Sequence, residues 1–168
     1  MNNYLERLST AISETTAGMT AAQLAYHPEG KWGTSEILEH LSLTYLGTIK
    51  GCEKALHEGL SIEGSSTLYQ KLAVLLVTGV GYLPSGRESP KGALPRGASP
   101  ETILAEVGGN IRRMDQAIME CEARYGRKTP LMDHPILGPL TSNEWRKFHW
   151  VHGKHHLEQI RRLRTSEE

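Results

Sequence analysis

Residues 141–163 read TSNEWRKFHWVHGKHHLEQIRRL, and this stretch decides the fold. Thr141 and Glu144 have the spacing of a capping box, which predicts that a helix begins here and continues through the stretch. At 100° per residue, the aromatic and aliphatic side chains share one face of this helix, and His152 and His156 lie on that face, one turn apart. The remaining surface is predicted to be solvated and holds the basic residues Arg146, Lys154, Arg161 and Arg164.

Apolar residues that recur every three or four positions predict further helices upstream. These helices cover about 3–18, a short segment after the N-cap Thr20, Thr34 (as N-cap) to about His57, about 67–80, and Ser99 to about Tyr125. Two Pro/Gly-rich loops, 81–100 and 127–140, separate the later helices. No strand is expected, because no run of residues alternates convincingly between apolar and polar. The predicted fold is all-α: a four-helix bundle with a short extra helix, in a single domain that covers 1–168.

Composition excludes several classes of protein. The 19 Lys and Arg residues balance the 19 Asp and Glu residues, which counts against nucleic-acid binding by bulk electrostatics. Cys52 and Cys121 are too few for a disulfide scaffold and match no metal-binding CxxC motif. The longest strongly apolar run, 72–77, is too short to span a bilayer, and the N-terminal MNNYLERL has no signal-peptide pattern. We therefore expect a cytoplasmic protein with neither a nucleic-acid nor a membrane partner.

Histidines are concentrated near the C-terminus, where four of the eight lie between His149 and His156. His152 and His156, at i and i+4 on an inward face, can bind a single metal ion. The alternative is a pair of hydrogen-bonded core histidines, and the spacing alone leaves both interpretations open. His40, on the helix that begins near Thr34, is the candidate third ligand. His149 either contacts a metal ligand without binding the metal itself, or binds the metal in place of His156. The histidines in or beside loops are predicted to be non-ligands: His27, His57 and His134.

Small residues form a column on the same helix as His40. Its members are Gly33, Thr44, Gly47, Thr48 and Gly51. A glycine inside a helix costs about 1 kcal/mol relative to alanine, so the column needs a reason. Either a neighbouring helix approaches closely, or a hollow lies beneath His40. In the second case, Thr44, Gly47 and Thr48 would line a substrate pocket.

Several of these motifs together resemble a known family. They are Trp32 followed by His40-Leu41, His134-Pro-x-x-Gly-Pro-Leu140, Glu144-Trp145, and His152-x-x-x-His156-x-x-Gln159-Ile160. The set is similar to the DinB-like superfamily, which includes bacillithiol transferases and mycothiol-dependent maleylpyruvate isomerases. The resemblance covers nearly the whole chain and implies an up-down-down-up four-helix bundle that forms homodimers. It also implies a divalent metal ion, commonly zinc or nickel, held by three histidines.

Carried onto this sequence, the resemblance makes His40, His152 and His156 the metal ligands and gives Gln159 a supporting role. Three histidines leave one coordination position open, as in catalytic zinc sites. The first hypothesis is therefore an enzyme, and the resemblance favours transfer of a low-molecular-weight thiol to an electrophile. Metal-dependent hydrolysis is the alternative reaction. No catalytic residue is assigned in either case.

Two further hypotheses involve no catalysis. In one, the protein is a metal- or ligand-binding module, with His149 as the fourth ligand that closes the coordination sphere. In the other, the chain is a metal-free helical scaffold. The loop 81–100 bears on the choice of substrate, because it contains Arg87, Lys91 and Arg96. If this loop lies over the metal, it favours an anionic substrate; otherwise it is a solvated crossover.

Overall fold

The computed structural model describes residues 1–60, 62, 66–81 and 89–165. Its helices are α1 (Asn3–Thr16), α2 (Ala21–Ala25), α3 (Thr34–Glu58), α4 (Leu68–Val74), α5 (Pro100–Tyr125) and α6 (Ser142–Thr165). A π-helical segment, Leu75–Val80, continues α4, and a 3₁₀ turn, Lys91–Ala93, precedes α5. Strands β1 (Pro130–His134) and β2 (Gly138–Thr141) pair antiparallel between α5 and α6. The predominantly helical architecture predicted from the sequence is confirmed.

One hydrophobic core is shared by the four long helices. The most extensive contacts join α3 to α5 and α1 to α6. Gly153 of α6 permits the second contact, because a Cβ at this position would collide with Leu8 of α1. Burial of each large aliphatic side chain contributes about 1.5–3 kcal/mol. The fully buried members include Leu5, Leu8, Leu41, Ile111, Met114, Ile118 and Leu157. An up-down-down-up path for these helices stays a prediction from the resemblance.

Helix starts largely follow the predicted caps. The Thr20 side chain accepts from the Gln23 N–H, and the Ser99 side chain accepts from Thr102. The prediction that Thr34 caps α3 is wrong by one residue, because the N-cap is Gly33. A side chain at Gly33 would collide with the backbone carbonyl of Tyr26, so only glycine lets the two segments approach this closely.

The prediction that the chain contains no strand is wrong. Residues 130–141 form a β-hairpin in which Met132 pairs with Leu140 and His134 with Gly138. Pro130 begins β1, Pro139 lies within β2, and the register shifts between Pro130 and Met132, so a period of two is not visible in the sequence. Buried Leu131 and Leu140 attach the hairpin to the helical core.

The prediction that Arg146 is solvated is also wrong. Its guanidinium is buried, and it donates to Asp115 Oδ1 at 2.8 Å and to Glu122 Oε2 at 2.6 Å. Asp115 also accepts the backbone N–H of Asn2 at 2.7 Å. We call Arg146, Asp115 and Glu122 the ion-pair cluster. Helical periodicity describes α6 alone, and it carries no information about the carboxylates that α5 presents to it.

Helix α4 and its π-helical continuation occupy the predicted apolar segment 67–80, but they contribute little to the core. No residue of α4 is buried, and Val77 is the one buried residue of the π-helical segment. Large apolar side chains are instead exposed along it: Leu68, Tyr69, Leu72, Leu75, Leu76 and Val80. Among the described residues, no helix has both the length and the apolar character needed to cross a membrane.

Candidate metal centre

Three buried histidines, one from α3 and two from α6, come together in the structure. We call His40, His152 and His156 the histidine triad. His152 Nε2 lies 3.2 Å from His40 Nε2 and 3.1 Å from His156 Nε2. Ligand nitrogens at about 2.0–2.1 Å from a tetrahedral zinc ion lie roughly 3.3 Å apart, so this spacing suits one ion. In the described part of the chain, no other group of three His, Cys, Asp or Glu side chains has such spacing.

Hydrogen bonds behind the histidine triad determine where its protons lie. His40 Nδ1 donates to the backbone carbonyl of Ala93 at 2.8 Å, and His156 Nδ1 donates to Gln159 Oε1 at 2.7 Å. Since neutral imidazole carries one N–H, the Nε2 atoms of both rings present lone pairs. Both lone pairs face His152 Nε2, which can donate one proton at most. The arrangement is unsatisfied as a set of core hydrogen bonds, whereas a cation would satisfy it.

Burial keeps the histidine triad in the form that binds metals. It lowers the pKa of His156 to about 4 and that of His152 well below 6.5, and the neighbouring histidines add to both shifts. Burial also lowers the pKa of His40, although the hydrogen bond to Ala93 opposes this shift. Near neutral pH all three imidazoles are therefore uncharged. Such ligands do not reduce the +2 charge of a divalent ion, unlike carboxylates or thiolates.

Aromatic side chains restrict how the histidine triad can move. Phe148 stacks on His152, with ring centroids 5.4 Å apart and an interplanar angle of 11°. Trp32 lies against His40, with centroids 5.0 Å apart. Packing thus orients His152, whose Nδ1 has no hydrogen-bond partner among the described residues, and hydrogen bonds orient His40 and His156.

His149 lies apart from the histidine triad, one turn earlier on α6. It is fully buried, and its Nε2 lies 2.9 Å from the hydroxyl of Thr48. That hydroxyl also lies 3.2 Å from the Thr44 carbonyl, so its single proton has two acceptors within reach, this carbonyl and His149 Nε2. His149 Nδ1 has no hydrogen-bond partner among the described residues. Burial lowers the pKa of His149 to about 3.

The remaining histidines have different surroundings. His134 Nδ1 accepts the backbone N–H groups of Ile136 and Leu137, both at 3.1 Å, and so shapes the turn of the β-hairpin. His155 Nε2 lies 3.4 Å from Gln159 Nε2, so Gln159 connects His155 with His156. His57 is exposed in the last turn of α3.

An open cleft of about 1560 Å³ contains the histidine triad in its wall. Its other walls are the small-residue face of α3, α4 with its π-helical continuation, the β-hairpin and residues 89–94. Thr44, Gly47, Thr48 and Gly51 all line it. A Cβ at Gly47 would meet nothing within 4 Å, whereas a Cβ at Gly51 would collide with Met132. Both explanations of the small-residue column therefore apply: a hollow lies above Gly47, whereas close packing explains Gly51 and, at the start of α3, Gly33.

A family model described as "Protein of unknown function (DUF1569)" matches residues 4–163. The chain belongs to the DUF1569 family. The match extends from α1 to α6 and includes the whole histidine triad, but the DUF1569 description assigns no activity. No curated protein and no solved structure matches the chain significantly. The DinB-like resemblance of this DUF1569 chain therefore depends on its motif residues alone.

In this DUF1569 chain, the described part of the loop 81–100 lies at the histidine triad. Ala93 accepts from His40, and Glu39 of α3 accepts the backbone N–H groups of Gly97 and Ala98 at 3.0 and 3.1 Å. Lys91 lines the cleft. Arg96 is exposed and is not part of the cleft lining, and Arg87 lies outside the described residues.

Sequence reasoning missed three contributors to the site. The Ala93 carbonyl orients His40, but a backbone carbonyl is present at every residue and gives no sequence signal. The apolar wall of α4 was found as a helix, yet nothing in its composition shows that it lines a cleft. The helical wheel places Phe148 on the same face as His152, four residues before it, but does not predict that the two rings stack.

Proposed function

We propose that this protein is a metal-dependent enzyme that transfers a low-molecular-weight thiol to an electrophile. The observation that carries the proposal is the convergence of three imidazole nitrogens, two of them with assigned lone pairs, in the wall of an open cleft. The histidine triad would hold the ion, for which zinc and nickel are the candidates. A divalent ion bound there would lower the pKa of a thiol or of a water molecule.

One feature favours thiol transfer over hydrolysis: the motif residues resemble a superfamily that contains thiol transferases. Asp133, the one carboxylate among the described residues that line the cleft, is the candidate general base for the alternative reaction, hydrolysis. In the transfer, the thiol loses its proton to solvent, and a sulfur–carbon bond forms as the leaving group departs with its electron pair.

The chain itself contributes orientation and exclusion of water. Ala93 and Gln159 hold His40 and His156 in the tautomer that directs Nε2 to the centre. Phe148 keeps the ring of His152 in place. The apolar walls shield a reactive electrophile from hydrolysis by bulk water. A homodimer, which the resemblance also implies, belongs to the same proposal and is tested by sedimentation equilibrium.

Metal content is the first test, made on protein purified without an affinity tag that could load nickel. We expect about one zinc or nickel ion per chain, since one triad offers one site. His152→Ala should lose the ion, whereas His57→Ala, at an exposed histidine of α3, should keep it. A wild-type protein that binds no divalent ion in equilibrium dialysis would overturn the proposal.

Activity is the second test. Zinc-loaded protein is incubated with a panel of low-molecular-weight thiols and a chromogenic aryl halide. We expect thiol consumption that is faster than with His152→Ala and is retained in His57→Ala. Cleavage of an ester or amide panel without thiol consumption would instead establish the hydrolase. Metal binding with neither reaction would establish the non-catalytic module.

A further inference from the structure

The floor of the cleft is long and has space above it. From His40 to Gly51 the α3 face extends about 16 Å at 1.5 Å per residue. At Gly47 an added Cβ would meet nothing within 4 Å, so no packed neighbour requires glycine at this position. Retaining a glycine there costs about 1 kcal/mol of helix stability relative to alanine. The space itself is then the feature that this glycine preserves.

The opposite wall presents apolar surface to this space. Tyr69, Leu72 and Leu76 are 63%, 53% and 48% exposed, and all three line the cleft. Ile136 of the β-hairpin adds a fourth such side chain, 37% exposed. Contiguous exposed apolar surface of this kind marks a binding site, and its removal from water is favourable by about 25 cal/mol per Å². The surface suits a molecule with an elongated apolar body.

Positive charge lies at the histidine end of the same cleft. Lys31 precedes Trp32, whose ring contacts His40, and Lys91 is two residues before Ala93, whose carbonyl accepts from His40. Both lysines are exposed and line the cleft. Asp133 is the one acidic residue in the described lining. Two ammonium groups on segments that both contact His40 favour an anion at this end.

We infer that the substrate of this cleft is an elongated amphipathic anion. Its anionic group lies beside the histidine triad between Lys31 and Lys91, and its apolar body extends along α3 past Gly47 beneath α4. The buried His149 Nδ1, which has no partner among the described residues, lies in the same lining and offers one hydrogen bond to a polar group of the substrate. This inference rests on the proposed function, because it specifies the electrophile that would react at the histidine triad.

The test measures binding of straight-chain carboxylates, from acetate through hexanoate to decanoate, to zinc-loaded protein by titration calorimetry. We expect affinity to rise with chain length and decanol to bind more weakly than decanoate. Gly47→Leu fills the cleft with a good helix former, so it should weaken decanoate binding by roughly tenfold or more without loss of stability. Gly109→Leu is the matched control, since Gly109 is an internal glycine of α5 that also has open space and lies outside the cleft.

The anionic end is tested separately. The double variant Lys31→Glu with Lys91→Glu should weaken decanoate binding and leave decanol binding unchanged, whereas Lys50→Glu, on α3 outside the cleft, should affect neither. Equal affinity for acetate and decanoate, or unchanged decanoate binding in Gly47→Leu, overturns the inference. If zinc binds and thiols are consumed but chain length has no effect, this inference alone fails. If no metal binds, the proposed function fails as well.

Discussion

Two buried polar clusters depend on the same helix, α6, and they differ in how completely they are satisfied. In the ion-pair cluster, Arg146 donates to two carboxylates at 2.8 and 2.6 Å, so each charge has an opposite charge beside it. In the histidine triad, the lone pairs of His40 and His156 both face His152 Nε2. The first cluster is satisfied within the chain, whereas the second leaves two buried lone pairs facing one nitrogen that can donate at most one proton.

This difference favours a structural role for the ion-pair cluster and agrees with the ligand-binding role proposed for the histidine triad. Buried charges are tolerated when they are paired, and the ion-pair cluster joins α5 to α6 and to the backbone of Asn2. The histidine triad joins α3 to α6 through nitrogens that do not satisfy one another, although each ring is oriented by packing or by a hydrogen bond behind it. Such prior orientation is what a metal site requires.

The largest expected effect is that of pH, because several buried groups respond together. Burial lowers the pKa of His149 to about 3 and that of His134 to about 4. Between pH 6.5, the ordinary pKa of histidine, and these lowered values, the unfolded chain binds protons that the folded chain does not. The free energy of unfolding therefore falls as the pH drops through this range. For Glu122, burial opposes ionisation, but hydrogen bonds from Arg146, Ser142 and Arg127 lower its pKa to about 2. The stability that Glu122 contributes is fully present above pH 4.5 and is lost as the pH falls through about 2.

Urea unfolding of metal-free protein, followed from about pH 7 to about pH 2, should therefore show two successive losses of stability. His149→Phe should reduce the first loss and leave the second, whereas His57→Phe, at an exposed histidine, should change neither. Stability that stays constant between about pH 6.5 and about pH 4.5 would contradict the assignment of neutral buried histidines.

The next largest effect should follow from opening the ion-pair cluster. Asp115→Ala leaves the buried Arg146 with Glu122 alone, and removal of one partner of a buried ion pair costs about 3–5 kcal/mol of unfolding free energy. Glu58→Ala is the matched control: it removes an exposed pair with Lys54, and its cost should be about 1 kcal/mol or less. Urea denaturation measures both variants, and equal losses would mean that the cluster adds nothing beyond a surface ion pair.

A smaller effect, on metal affinity, is expected when the hydrogen bond that orients His156 is removed. Gln159→Ala removes the acceptor that holds the proton on His156 Nδ1 and should lower metal affinity by about 10–100-fold. Gln116→Ala, which removes an exposed hydrogen bond to Glu120 on α5, should leave the affinity unchanged. Competition with a chromophoric chelator gives both affinities. Unchanged affinity in Gln159→Ala would show that the tautomer of His156 is determined without Gln159.

The two clusters also show what the sequence can and cannot predict. A period of 3.6 residues places His152 and His156 on the apolar face of α6, because this relation lies within one helix. The burial of Arg146 depends on carboxylates 31 and 24 residues away, and helical periodicity carries no such information. The β-hairpin could not be predicted for a related reason. Prolines and a register shift hide its alternation of apolar and polar residues, and the hairpin is stabilised by packing of Leu131 and Leu140 on the helices.

The smallest expected effect distinguishes open from closed parts of the α3 face. Gly47→Ala adds a methyl group where nothing lies within 4 Å, so it should stabilise the protein by up to about 1 kcal/mol through helix propensity. At Gly51 the same methyl group would collide with the sulfur of Met132, which must move aside. Gly51→Ala should therefore gain less than Gly47→Ala, or lose stability. Gly51→Ala combined with Met132→Ala removes the collision and should recover the propensity gain relative to Met132→Ala alone. Urea denaturation of the four variants measures the difference, and equal gains at the two glycines would mean that Met132 does not pack against α3 as the structure describes.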